Sequence, residues 1–182
     1  MKERVEILSI EPTTKHSRDL YKLSYLQDGK EESDIVSKGK DVVKILLYHT
    51  QKNAFVLTKQ FRPFLYINHP KMAFRVELCG GGVEDGLSAK ESAIKEVLEE
   101  TGYKVDNLEK ITTLYTTVRM TLYYAKVDES MRISSGGGAD DDEMIEVLYL
   151  PLERAKEFMF DESIPKRPAL MFSFCWFLNM KE

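Results

Sequence analysis

From the N-terminus, apolar and polar residues first alternate in short stretches, the pattern of half-buried strands. Val5–Ile10 and Leu20–Leu26 fit it, and Asp28-Gly29 supplies a turn after the second. Val42–Tyr48 and Phe55–Gln60 predict a hairpin, with His49–Asn53 as its connection. Phe74–Cys79 predicts another strand, closed by Gly80-Gly81-Gly82. Then the period changes. Between Ala89 and Thr101, Ala93, Ile94, Val97, Leu98 and Thr101 share one arc at about 100° per residue. Ser88 is a fitting N-cap, Glu91 completes a capping box with it, and Gly102 supplies the stop. Ile111–Thr116, Leu122–Val127 and Ile145–Leu150 read as further strands. Pro151 opens a second helix, Leu152–Phe160, and Pro168 a third that runs to about Met180. Strands with helices on their faces predict an α/β (α+β) sandwich.

Composition narrows the partners. At 182 residues the chain fits one domain with room for a small extra element, and 43% hydrophobic content is enough for a core. The net charge is −4 and the basic residues are scattered, so no basic face is offered to nucleic acid. The longest apolar stretch, Ala169–Met180, falls short of the about 20 residues a membrane helix needs. The opening MKERVEILSIEP lacks the apolar core of a signal peptide. Cys79, Cys175, His16, His49 and His69 show no zinc spacing. These features predict a reduced, cytoplasmic protein that engages neither membrane nor nucleic acid.

The candidate chemistry lies on the central helix. Glu96, Glu99 and Glu100 crowd beside its apolar arc, and Glu96 and Glu100 are i,i+4 neighbours whose like charges repel. A divalent cation would remove that conflict, and oxygen-only ligands suit Mg²⁺ or Mn²⁺. A solvated acidic helix face is the plain alternative. The preceding glycines favour a site, because they let backbone approach a ligand closely. Downstream, Gly136-Gly137-Gly138 reads as a flexible hinge before the acidic run Ala139-Asp140-Asp141-Asp142-Glu143. That combination fits either a lid over metal and phosphate or an acidic surface loop. Arg62, before Pro63, can grip phosphate or form a surface ion pair. Glu77 can hold substrate or an arginine, or sit on an edge strand.

From Gly81 to Tyr103 the sequence resembles the Nudix box, G-x5-E-x7-R-E-U-x-E-E-x-G-U, in which U is aliphatic. Gly81, Glu96, Val97, Glu99, Glu100 and Gly102 match it. Leu87, Lys95 and Tyr103 stand where the motif has glutamate, arginine and an aliphatic residue. Lys95 keeps the charge but not the planar fork, and Glu91 and Glu99 lie one turn away to pair with it. The resemblance covers roughly residues 20 to 180, with gaps. Lys59-Gln60-Phe61-Arg62-Pro63, Val76-Glu77-Leu78-Cys79, Ile145-Glu146-Val147, Leu150-Pro151-Leu152-Glu153 and Trp176-Phe177-Leu178 are similar to the UDP-sugar diphosphatase branch. The ADP-ribose pyrophosphatases are close relatives of that branch.

The resemblance implies a Nudix α/β/α sandwich with a mixed sheet. Residues 1–40 become an N-terminal antiparallel β region that packs across a homodimer, and residues 41–182 the hydrolase domain. It implies Mg²⁺-dependent hydrolysis of a nucleoside diphosphate sugar. Its metal ligands would be Glu96, Glu99, Glu100, Glu143 and the carbonyl of Gly80. Glu99, Glu100, Asp141 and Glu143 would be the catalytic carboxylates, with Asp141 or Glu143 as general base. Arg62, Glu77 and Gly81 would line the substrate. Tyr25, Phe61 and Tyr66 are the candidate aromatics for base stacking. An ADP-ribose pyrophosphatase and a non-catalytic binding module of the same fold are the alternative readings.

Overall fold

A computed structural model describes residues 8–10, 20–139 and 144–181. The chain divides into two compact units, Met1–Lys40 and Asp41–Glu182. In the first, β1 (Leu20–Gln27) and β2 (Lys30–Ser37) form an antiparallel hairpin. Asp28 and Gly29 both take positive φ, 51° and 79°. That is the signature of the primed turns that match the twist of paired strands. The hairpin buries almost nothing, and Leu20, Tyr21, Leu23, Leu26, Ile35 and Val36 are all exposed. Val5–Ile10 lies partly outside the described residues, and its last three residues, Leu8–Ile10, carry no regular structure.

The second unit holds one mixed sheet: β3 (Val42–His49), β4 (Ala54–Phe61), β5 (Phe74–Glu77), β6 (Glu109–Tyr115), β7 (Arg119–Val127) and β8 (Ile145–Pro151). The order is β5-β4-β3-β7-β6, with β8 on the other edge of β4. β3 and β7 run parallel; every other named pairing is antiparallel. The helices are α1 (Pro63–Asn68), α2 (Ala89–Thr101), α3 (Ala155–Phe160) and α4 (Pro168–Met180). The second predicted helix begins with a 3₁₀ turn at Leu152–Arg154.

Because alternate strand residues face opposite sides, the sheet feeds two cores. Val43, Ile45 and Leu47 of β3, Val56 of β4, and Tyr123, Ala125 and Val127 of β7 pack with Ala93 and Val97 of α2. Leu46, Phe55, Leu57 and Tyr124 pack on the other face with Phe158 and Met159 of α3 and Leu170, Phe174 and Phe177 of α4. The result is the expected α/β/α sandwich.

One irregularity in the sheet builds the site. β4 pairs with β3 only from Ala54 to Val56, then leaves it and pairs with β5 from Thr58 to Phe61. The chain after β5 crosses that gap. Val43 N donates to Gly81 O and Ile45 N to Cys79 O, both at 2.9 Å. The glycine segment is thereby fixed against the start of β3.

Candidate active site

The helix α2 is set by local signals. Ser88 Oγ accepts from Glu91 N at 3.2 Å, and Ser88 N donates to Glu91 Oε2 at 2.8 Å. Gly102, at φ 76°, ends the helix in the left-handed region. Gly136, Gly137 and Gly138 act differently from the flexible hinge that the sequence suggests. All three have positive φ. Gly137 N donates to Glu100 O at 3.0 Å and Gly138 N to Glu99 O at 3.1 Å. These donors satisfy carbonyls that the end of a helix leaves unpaired. A Cβ at Gly136 would stand 2.6 Å from the Thr101 carbonyl carbon. Close approach to the helix end requires a glycine at position 136.

Glu96 and Glu100 come together with Gly80 and Gly81. Gly80 N donates to Glu100 Oε2 at 2.8 Å. A side chain at Gly81 would overlap the Glu96 carboxylate. Glu100 is 9% exposed. Burial, reinforced by the charge of Glu96, pushes its carboxyl up to about 7 despite Lys44, the Gly80 N–H and Arg62. A divalent cation held by these carboxylates would relieve that repulsion, so this oxygen-only pair fits the group expected there. Among the described residues no three carboxylate, imidazole or thiol groups gather into a metal cluster. Glu99 pairs with Lys95 at 3.6 Å. Asp141 and Glu143 lie outside the described residues.

Lys95 also meets Glu84 at 2.6 Å, not Glu91, whose carboxylate is held by the Ser88 backbone. Tyr103, in place of an aliphatic residue, is fully buried and meets Tyr149 OH at 2.8 Å. Leu87 is exposed in the loop before α2.

Two groups escape a reading of sequence alone. Lys44 projects from β3, and its Nζ donates to Gly80 O and, at 3.5 Å, to Leu78 O. A lysine inside the apolar run Val42–Leu47 was the available signal. Around Glu77, 2% exposed, three arginines converge: Arg62, Arg75 and Arg167. Burial alone would push the Glu77 carboxyl up. The charges of Lys44, Arg62 and Arg75 overcome it and hold the carboxyl at about 2. Glu77 thus serves arginines directly. Arg167 arrives because Pro165 O accepts from Val76 N at 3.2 Å, which docks the start of α4 on β5. Phe61 and Tyr66 pack on each other at 5.8 Å, and Tyr25 OH donates to Asp34 at 2.9 Å.

The NUDIX domain model matches residues 39–170 of the chain. The chain belongs to the Nudix family. A relative named uridine diphosphate glucose pyrophosphatase NUDT14, from Mus musculus, is 33% identical over 193 residues. That alignment covers 87% of this chain and 87% of the relative. The GDP-mannose pyrophosphatase of Pectobacterium atrosepticum is 39% identical over 143 residues, covering 76% of this chain and 72% of that protein. A crystal structure described as an ADP compounds hydrolase has a TM-score of 0.71 over 97% of this chain and 95% of that one. At 15% identity it speaks for the Nudix fold alone. The chain is a Nudix hydrolase, and its box is the segment that sets Glu96 and Glu100 against Gly80 and Gly81.

Proposed function

We propose that this Nudix hydrolase cleaves the pyrophosphate bond of a nucleoside diphosphate sugar, with a UDP-glucose-like substrate as the first choice. The observation that carries the reading is the Glu96–Glu100 pair beside Gly80 and Gly81, inside a chain aligned over most of its length with a UDP-glucose pyrophosphatase. Glu96, Glu100 and the Gly80 carbonyl are the groups that would hold Mg²⁺, or Mn²⁺, with Glu99 and Glu143 completing the set. When bound, the cation supplies charge neutralisation at the phosphates and a more acidic water.

The chain's own residues do the rest. Gly80 N and Lys44 hold the Glu100 carboxylate and the Gly80 carbonyl in place. Arg62 offers a guanidinium to a phosphate oxygen. A water oxygen bonds to one phosphorus as the bridging P–O bond breaks. Asp141 or Glu143 takes the water's proton. The products are a nucleoside monophosphate and a sugar phosphate. No covalent enzyme intermediate forms.

GDP-mannose is the second reading, favoured by the 39% identical relatives of that name. ADP-ribose is the third. We further place the protein in the cytoplasm as a homodimer. Two free cysteines and the exposed apolar residues of the β1–β2 hairpin support this. The deciding experiment is sugar-phosphate release from UDP-glucose, UDP-galactose, GDP-mannose and ADP-ribose, with and without Mg²⁺. Mg²⁺-dependent cleavage of UDP-glucose above the others is expected. No cleavage of any member by folded, metal-loaded protein would overturn the reading.

A further inference from the structure

The basic groups around Glu77 outnumber it. Arg62 gives Nη2 to Oε2, while Arg75 and Arg167 both give Nε to Oε1, Arg167 at 3.0 Å. Among the described residues Glu77 is the one carboxylate that pairs with any of the three. Three guanidiniums against one carboxylate leave two positive charges unmatched in a half-buried corner. The charges of Arg167 and Arg62 add to burial in pushing the Arg75 guanidinium below its ordinary value, so the three face one another. The terminal nitrogens of Arg75 and Arg167 make no hydrogen bond among the described residues, and Arg62 Nε is buried without a partner. Such a corner suits an anion. Planar guanidinium forks match the oxygens of a phosphate. Arg62 also acts on Glu100, so the corner adjoins the carboxylate pair.

We propose that Arg62, Arg75 and Arg167, pivoted on Glu77, form an anion subsite that takes one phosphate group of the substrate. The inference rests on the diphosphate reading above and adds Arg75 and Arg167 to it. Neither residue belongs to the Nudix box, and Arg167 is 92 residues from Arg75 in the sequence.

The test is calorimetric titration of inorganic pyrophosphate into the full chain in EDTA, so that no metal contributes. Wild-type protein should bind it. Arg75→Ala and Arg167→Ala should each weaken binding about tenfold or more, the loss of one charge-assisted contact. Arg75→Lys and Arg167→Lys keep the charge, lose the fork, and should weaken it severalfold; they serve as the readout if an alanine variant fails to fold. Repeating the titration with UMP and with glucose 1-phosphate assigns the subsite to the nucleotide or the sugar side, whichever loses affinity in the variants. Absence of metal-free binding by wild type, or folded variants that bind all three probes as wild type does, would overturn the proposal. Hydrolysis with Mg²⁺ but no arginine-dependent binding sinks the subsite alone. Arginine-dependent binding without hydrolysis sinks the diphosphatase reading alone.

Discussion

Replacing Glu77 by Gln removes one negative charge from the meeting point of three arginines while keeping size and shape. Its carboxyl falls from the ordinary 4.5 to about 2 in the folded chain. That difference corresponds to about 3 kcal/mol in favour of the folded state when Glu77 is ionised. Arg62 and Arg167 are 31% and 48% exposed, so water screens part of the attraction. About 2 to 3 kcal/mol is the expected cost of Glu77→Gln at pH 7. In a chain of this size that lowers Tm by about 4 to 12 °C. The sign with pH follows from the depressed value. The stabilisation is fully present above about pH 4.5 and is lost as pH falls toward 2, where wild type too becomes neutral there. Thermal unfolding followed by circular dichroism at pH 7, 4 and 2.5 reads both effects. A Tm gap below about 2 °C at pH 7, or an equal gap at pH 7 and 2.5, would refute the assignment of Glu77 as the arginines' anchor.

Glu100→Gln should abolish turnover yet leave the metal-free protein more stable at pH 8, by up to about 3 kcal/mol. Its carboxyl is raised to about 7, so ionising it costs stability as pH rises from 4.5 to 7, and Gln escapes that cost. Urea unfolding in EDTA at pH 5 and pH 8 tests this; a variant weaker than wild type at pH 8 contradicts it. Gly136→Ala should cost at least about 2 kcal/mol, because φ is 69° and the new methyl meets the backbone of Thr101. Gly29→Ala, in open space at φ 79°, should cost about 1 kcal/mol. Equal urea midpoints for the two glycine variants would show that the approach to α2 carries no weight.

The parts legible in sequence are those whose causes are local. The helix α2 is specified by Ser88, Glu91 and Gly102 within one stretch, and α4 by Pro168 and the apolar run after it; both have the predicted bounds. The strand β2, KEESDIVS, escapes prediction because neither of its faces is buried, so no alternation marks it. The six-residue α1 buries no residue and leaves no period to read. Lys95 pairs with Glu84 because the loop folds back on the helix, which helical spacing alone does not show. Arg75 and Arg167 are invisible for a sharper reason. They meet through Glu77 only after α4 has docked on β5, and no spacing rule spans that distance.

That docking separates the two halves of the site in sequence. Gly80 and Glu100 are 20 residues apart and belong to one strand–loop–helix unit. Glu77 and Arg167 are 90 residues apart. Short loops close early and distant pairs late in folding. The carboxylate pair is thus a local product of one strand–loop–helix unit, whereas the arginine corner needs α4 in place. The arginine corner thus depends on the docking of α4 on β5.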